Sequence, residues 1–185
     1  MRIIAGEMRS RKLKTPEGLD TRPTADRVKE ALFSILQNRL YGARVLDLYG
    51  GSGALALEAL SRGAQSAVIN DQAPRACRVI RENIAALGWQ ARVTLLQMKD
   101  ASAIDALEKA GDRFDLIFLD PPYKLDTAAV CERLEKRLLA PDGLIVVEHA
   151  RETPPQAGAS LTLRDRREYG ITGLSFYRRA GEDEG

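Results

Sequence analysis

Short apolar runs alternate with helix-like segments along most of the chain, and this alternation limits the fold more than any other feature. Runs without polar alternation are typical of strands in a parallel sheet that helices cover on both faces. The last two runs have no helix pattern between them, so we predict that they pair antiparallel. The prediction is a doubly wound α/β fold with seven strands, at residues 45–48, 66–71, 93–96, 114–119, 144–148, 161–163 and 174–177.

The intervening segments have apolar residues at helical spacing and predict five helices, at residues 24–40, 54–60, 74–87, 101–110 and 127–139. Residues 1–15 alternate apolar and basic residues around Gly6 and predict a short basic hairpin. We therefore expect two parts. Residues 1–40 form a hairpin and helix appendage, and residues 41–185 form a Rossmann-like domain.

Composition excludes several classes of protein. The 185 residues, 44% of them hydrophobic and 29% charged, suit one globular unit. No apolar run approaches the length that spans a bilayer, and the first residues lack a signal-peptide pattern, so we expect a cytoplasmic protein without a membrane partner. Two cysteines, Cys77 and Cys131, exclude a disulfide scaffold, and without a ligand cluster we predict no metal. The single histidine, His149, is expected to be structural.

Charge is unevenly distributed. Residues 1–40 have nine Lys and Arg against five Asp and Glu, whereas residues 41–160 have 14 against 16. Basic ends favour a polyanionic partner, although a merely solvated surface is an equal alternative from charge alone. The candidate phosphate contacts are Arg9, Arg11, Lys12 and Lys14, with Arg164, Arg166 and Arg167 near the other end.

A glycine cluster, Gly50-Gly51-Ser52-Gly53, separates the first core strand from its helix. In doubly wound sheets, ligands bind beyond the carboxyl ends of the strands, and glycines let backbone approach them closely. Asp71 ends the next strand, and a carboxylate there can accept hydrogen bonds from both hydroxyls of a ribose. The pattern indicates a cofactor that contains a nucleoside.

The glycine pattern by itself fits an NAD(P)-dependent oxidoreductase as well as a methyltransferase. Asp47, immediately before the loop, favours S-adenosylmethionine, because it would attract the cationic amino-acid part of that cofactor and repel a pyrophosphate.

The sequence Asp120-Pro121-Pro122-Tyr123 directly follows the fourth strand. The two prolines stiffen this turn and donate no backbone N–H. The Asp120 carboxylate and the Pro121 carbonyl can then accept the hydrogens of an exocyclic amino group and aim its lone pair outward, while Tyr123 can stack on the base. This corner predicts methylation of a base amino group without settling which base, so a DNA adenine-N6 methyltransferase remains open. A non-catalytic RNA-binding protein with the same fold is a further alternative, and the intact corner argues against it.

Four stretches together resemble the bacterial 16S rRNA guanine-N2 methyltransferases. They are MRIIAG at residues 1–6, RPTADRVKEALF at 22–33, VLDLYGGSGAL at 45–55 with EALSRGA at 58–64, and LDPPY at 119–123. The segments YG at 169–170 and LSFY at 174–177 also fit the pattern of this family. The chain departs from the family pattern at Tyr49-Gly50, where Phe-Ala is expected, and at Asn70-Asp71-Gln72.

The resemblance implies a class I S-adenosylmethionine-dependent fold and methylation of N2 of one guanine of 16S rRNA, of the guanine 966 type, in the small ribosomal subunit or an assembly intermediate. We expect the enzyme to be a monomer. The implied catalytic residues are Asp120, Pro121, Pro122 and Tyr123. The implied cofactor residues are Asp47, Tyr49, Gly51, Ser52, Gly53 and Asp71, with Asp100 near the adenine amino group. The candidate RNA contacts are Arg9, Arg11, Lys12, Lys14, Arg22 and Arg27.

Overall fold

The computed structural model of the chain describes residues 1–17, 23–121, 126–155 and 158–181, without the side chains of residues 23–25. Its helices are α1 (Pro23–Leu36), α2 (Ala54–Ser61), α3 (Pro74–Leu87), α4 (Asp100–Lys109) and α5 (Thr127–Arg137), and a 3-10 turn covers Gln37–Arg39. Its strands are β1 (Arg44–Asp47), β2 (Ser66–Asn70), β3 (Val93–Leu96), β4 (Phe114–Leu119), β5 (Leu139–Ala150), β6 (Leu161–Tyr169) and β7 (Thr172–Arg179).

The strands form one seven-stranded sheet in the order β3-β2-β1-β4-β5-β7-β6. Strands β1 to β5 pair in parallel, and β7 lies antiparallel between β5 and β6. The predicted α/β class and the antiparallel last pair are confirmed. Strands β2 and β3 are added on one side of β1, and β4 and β5 on the other side. The carboxyl ends of β1 and β4 therefore flank the crevice in which such sheets bind ligands.

Two hydrophobic cores lie on opposite faces of the sheet, and alternate residues of each strand supply them. In β1, Val45 joins the core under α1, α2 and α3, while Leu46 joins the core under α4 and α5. In β4, Phe118 joins the core under α1, α2 and α3, and Ile117 joins the core under α4 and α5. This double burial explains why the strands read as continuous apolar runs.

The N-terminal segment forms the predicted hairpin. Arg2 pairs with Lys12, and the Ile3 N–H donates to the Arg11 carbonyl at 2.9 Å. Ile3 and Leu13 are buried in the first core. The basic residues of the hairpin are therefore exposed on a segment that Ile3 and Leu13 anchor in the core.

A buried carboxylate fixes this segment to α2. Glu58 is fully buried and accepts hydrogen bonds from the backbone N–H groups of Ile4 at 2.8 Å and Ala5 at 3.1 Å. Arg62 Nε lies 2.8 Å and Lys29 Nζ 3.4 Å from its oxygens. Protein groups thus balance the charge of Glu58 and hydrogen-bond its oxygens, which is the condition for burying it.

Three strands, β5, β6 and β7, are longer than their apolar runs predict. β5 begins at Leu139, where the positive φ of 58° at Asp142 and a register shift opposite Phe114 and Leu116 interrupt the pattern. β6 lies at the sheet edge and has mostly exposed or half-exposed residues, so only its first three residues form an apolar run. In the described part of the chain, no helix has the length and apolar character needed to cross a bilayer.

Candidate active site

Acidic residues lie at or next to the carboxyl ends of neighbouring strands. Asp47 ends β1, Asp71 follows β2, Asp120 follows β4, and Glu148 lies in the last part of β5. Parallel strands place these ends on one edge of the sheet, so the structure brings the predicted Asp47, Asp71 and Asp120 together. The same edge adds Glu148, which the sequence analysis did not select.

The glycine loop turns tightly between β1 and α2. The Gly50 N–H donates to the Asn70 carbonyl at 2.8 Å, and a Cβ at Gly50 would lie 2.4 Å from Ile69 Cγ2. Gly51 and Gly53 have φ values of +57° and +79°, the left-handed region that favours glycine. A Cβ at Gly51 would meet no atom within 4 Å, so the backbone here borders open space that a ligand can approach.

Asp47 is 2% exposed and lies below this loop. Burial, the charge of Asp120 and that of Asp71 raise its pKa to about 7, against hydrogen bonds from the backbone of Ala56 and Tyr49 that lower it. Its ionised form is therefore unfavourable until a cation approaches. A carboxyl in this position is suited to a ligand that carries positive charge.

The other acidic cofactor candidates also support the loop. Asp71 accepts hydrogen bonds from the N–H groups of Gly51 at 2.9 Å and Ala73 at 2.8 Å. The Tyr49 hydroxyl donates to Asp100 at 2.7 Å, and burial followed by this bond raises the pKa of Tyr49. Each carboxylate oxygen has more than one lone pair, so both residues keep acceptor capacity for a ligand.

Ser52 has a different environment from its glycine neighbours. Its side chain is buried, and its hydroxyl lies 3.9 Å from Met1 Sδ. Its carbonyl accepts a hydrogen bond from Asn83 Nδ2 at 3.0 Å, and Asn83 also bonds both backbone groups of Lys14 at 2.9 Å. The glycine loop is therefore linked directly to the basic N-terminal segment.

Asp120 and Pro121 line a cavity of about 920 Å³ on the other side of β4. The remaining walls come from the start of α5, the end of β5 with the segment after it, and the turn between β6 and β7. Asp120 borders the cavity, and the desolvation of its carboxyl by the surrounding protein raises its pKa to about 6. The apolar Ile171, 74% exposed, lies in the β6–β7 turn at the cavity wall.

Glu148 and His149 reach the same cavity from β5. Burial and the charge of Asp120 raise the pKa of Glu148 to about 8. His149 Nδ1 lies 2.8 Å from the Ala150 carbonyl and must donate to it, so Nε2 accepts from the Ser175 hydroxyl at 2.8 Å. The geometry supports the structural role predicted for His149, because protein groups occupy both ring nitrogens.

The remaining candidates divide by position. Pro122, Tyr123 and Arg22 lie outside the described residues, as does the acidic end of the chain at residues 182–184. Arg9, Arg11, Lys12, Lys14 and Arg27 are exposed. Lys14 Nζ forms an ion pair with Glu82 of α3 at 2.7 Å.

Helix α3 adds a basic face that the sequence analysis did not select. Arg75, Arg78 and Arg81 recur every three residues on its exposed side. Segment 14–17 runs along this helix, because Lys14 contacts Glu82 and Arg75 pairs with Glu17. The helical spacing was visible in the sequence, but the contact with the N-terminal segment was not.

The residues of the glycine loop fit S-adenosylmethionine. The open space above Gly51 accommodates a ligand against the backbone, and the buried Asp47 favours a positive charge. Asn70 Oδ1, buried at the end of β2, has no hydrogen-bond partner among the described residues and leaves an acceptor beside the same loop. These features suit a ligand with an ammonium or sulfonium group next to a polar nucleoside.

Solved structures share this fold. The yhhF protein of Escherichia coli superposes with a TM-score of 0.85 at 29% identity, over 98% of this chain and 99% of that one. SMU.776, complexed with SAH, superposes with a TM-score of 0.66 at 16% identity, over 80% of this chain and 48% of that one. The fold is that of the class I S-adenosylmethionine-dependent methyltransferases.

Sequence relatives define the family. The family model described as Conserved hypothetical protein 95 matches residues 1–178. YlbH of Bacillus subtilis is 36% identical over 98% of this chain and 100% of its own, and ribosomal RNA small subunit methyltransferase D of Escherichia coli K12 is 34% identical over 100% and 92%. The chain belongs to this family, together with ribosomal RNA small subunit methyltransferase D, and the resemblance read from the sequence is confirmed.

A partial relative has a more detailed name. The tRNA (guanine(26)-N(2))-dimethyltransferase of Methanosphaerula palustris is 33% identical over 74% of this chain, which corresponds to 32% of that protein.

Proposed function

We propose that the chain transfers the methyl group of S-adenosylmethionine to N2 of a guanine in 16S rRNA, in the small ribosomal subunit or an assembly intermediate, and acts as a monomer in the cytoplasm. The observation that carries the proposal is the position of Asp120. This carboxyl interacts electrostatically with Asp47 beside the glycine loop and with Glu148 beside the cavity. It therefore lies between the region suited to a cationic cofactor and a cavity of about 920 Å³.

When bound, S-adenosylmethionine supplies an electrophilic methyl carbon on a positively charged sulfur. Asp47 stabilises its positive charge, and Asp71 accepts hydrogen bonds from its ribose. Asp100 accepts from its adenine amino group, while Tyr49 holds the Asp100 carboxylate through the 2.7 Å hydrogen bond. Gly51 and Gly53 give the loop the conformation that lets backbone approach the cofactor.

Asp120 and the Pro121 carbonyl act on the base. They would accept hydrogen bonds from both N–H groups of the guanine amino group, which would turn its lone pair out of conjugation with the ring and make it available to the methyl donor. Transfer of the methyl group would form the bond from N2 to carbon and break the carbon–sulfur bond, with the electron pair left on sulfur. The positive charge would then move to N2, where the Asp120 carboxylate, already in place, would stabilise it without reorganising solvent. The pKa of Asp120, raised to about 6, also suits it to take the proton that N2 loses afterwards.

The wider surface supports an RNA substrate. Exposed basic residues of the N-terminal hairpin lie beside the arginine face of α3, and contacts between Lys14 and Glu82 join the two elements. Ribosomal RNA appears in the name of a relative that the chain matches over its full length. Guanine N2 appears in the name of the partial relative, which favours this atom over adenine N6.

The test is labelled methyl transfer to small ribosomal subunits purified from cells that lack this modification. Digestion of the 16S rRNA should release labelled N2-methylguanosine, and mass spectrometry of nuclease fragments should place it at one position. Free 16S rRNA and duplex DNA are incubated in parallel. Label in N6-methyladenosine of the DNA would support the second candidate function, a DNA adenine methyltransferase, and would contradict the proposal.

A further inference from the structure

Glu148 and Asp120 are neighbours across two parallel strands. Leu119 of β4 is the register partner of Val147 of β5, and Asp120 and Glu148 are the next residues along the chain. Adjacent strands lie about 4.8 Å apart, so the two carboxyls are close enough to contact one small planar ligand together. Both side chains line the cavity of about 920 Å³.

The Glu148 carboxyl is half-buried, and it has no hydrogen-bond or ion-pair partner among the residues that the structure describes. The nearby Arg151 pairs instead with Glu168 at 2.8 Å, and Arg166 bonds Glu168 and the Arg151 carbonyl at 3.0 Å. The adjacent His149 ring bonds Ser175. A partly buried carboxyl without a partner is unfavourable, so its acceptor atoms are available to a ligand in the cavity.

A guanine offers the donor that this arrangement lacks. Its N1–H lies next to its N2 amino group on one edge of the base, whereas adenine and 2-aminopurine have a bare acceptor nitrogen at N1. If Asp120 accepts a hydrogen bond from the amino group, the Glu148 carboxyl can accept one from N1–H. Acceptance of the N1–H would also push electron density toward N2, which must donate its lone pair.

We propose that Glu148 is the residue that selects guanine in this site, by accepting a hydrogen bond from N1–H of the target base while Asp120 and Pro121 hold N2. This inference rests on the proposed function and adds the group that distinguishes one amino-bearing base from another. Glu148 carries no bond to the methyl group and exchanges no electrons in this role.

The test compares guanine with 2-aminopurine at the mapped position of 16S rRNA, assembled into small subunits. It is run at about pH 9, above the pKa of about 8 of Glu148, so that this carboxyl is ionised and can only accept a hydrogen bond. 2-Aminopurine keeps the amino group but lacks N1–H. Wild-type enzyme should prefer guanine by about 10- to 100-fold in kcat/KM, as expected for loss of a specific base contact. Glu148→Gln, whose amide can donate to a bare N1, should reduce that preference at least about fivefold.

Two further variants complete the design. Glu148→Ala removes the acceptor and should also reduce the preference for guanine. Glu152→Gln removes the same charge from an exposed position of the same cavity and should keep the wild-type preference. Because every variant faces the same two bases, loss of the O6 atom in 2-aminopurine cancels in the comparison.

A wild-type preference in both Glu148 variants would overturn the selection role. Failure of the wild-type enzyme to methylate guanine in the same subunits would instead contradict the proposed function, so the two failures are distinguishable. Thermal unfolding and calorimetric titration with S-adenosylmethionine establish that each variant is folded and binds the cofactor before its preference is measured.

Discussion

Asp47 ends β1 and Asp120 follows the neighbouring parallel strand β4, and the charge of Asp120 adds to burial in raising the pKa of Asp47 to about 7. Two carboxyls that repel each other in the free protein become favourable together when a cation lies near both. This relationship couples the region of Asp47, which would bind the cofactor, to the region of Asp120, which would bind the base.

Asp120→Ala should lower turnover by about 100-fold or more, because removal of one preorganised group that stabilises developing charge has an effect of this size. Cofactor affinity should stay within about threefold of wild type, since weaker repulsion on Asp47 offsets the loss of one carboxylate near the cation. Single-turnover methyl transfer and calorimetry measure the two quantities separately. Wild-type turnover in this variant would exclude the proposed role.

Asp47→Asn should weaken cofactor binding at pH 8 and remove most of its pH dependence between pH 6 and 8. In the wild type, affinity should rise through this range as Asp47 ionises around pH 7. Calorimetric titrations at several pH values make the measurement. A variant with unchanged affinity and an unchanged pH profile would show that Asp47 does not bind the cation.

The same substitution should stabilise the free protein. The folded-state pKa of Asp47 lies above its ordinary value of 3.8, so the folded form loses stability as pH rises from about 4 to about 7. Asparagine carries no such penalty, and the midpoint of thermal unfolding should rise by several degrees at pH 8, with a smaller gain at pH 5. An equal gain at both values would contradict this linkage.

Glu58→Gln should destabilise the protein by about 3–5 kcal/mol, the usual effect of leaving a buried charge without its partner. Lys29 is 4% exposed and would lose the carboxylate 3.4 Å away. Hydrogen exchange at the Ile4 and Ala5 amides should accelerate, because both donate to Glu58. Urea unfolding gives the free energy. Glu30→Gln, at an exposed position of α1, is the matched control and should stay within about 0.5 kcal/mol of wild type.

Arg78→Ala with Arg81→Ala should weaken binding to unmethylated 16S rRNA and lower the salt slope of log affinity by about one to two units, as expected for two phosphate contacts. The control is Arg133→Ala with Arg137→Ala on α5, where both arginines pair with Asp105. Filter binding between about 50 and 200 mM salt gives the slopes. Equal slopes for the two double variants would exclude the α3 face from RNA binding.

The sequence predicts the strands and most of the site because local signals mark them. Asp120 directly follows an apolar run, Asp47 and Asp71 lie near the ends of two others, and glycine marks the loop between β1 and α2. These signals need no knowledge of which strands are neighbours. The predicted division at residue 40 and the roles of the site residues stay predictions.

Glu148 could not be selected in this way. A glutamate at the end of an apolar run also marks the point where a strand meets solvent, and only the pairing of β4 with β5 places it beside Asp120. Glu58 and Asn83 were missed for a related reason. A polar residue in a helix is expected to be exposed, and both are buried because a distant segment of chain brings them partners.

The side-chain amide of Asn83 links the stability of the N-terminal segment to that of the glycine loop. It bonds both Lys14 and Ser52, so the stretch that carries the basic groups and the turn that faces the cofactor share one attachment point. Mild heating or a protease that frees the first fourteen residues should therefore loosen that turn as well. As that release proceeds, affinity for the methyl donor should fall before the sheet unfolds.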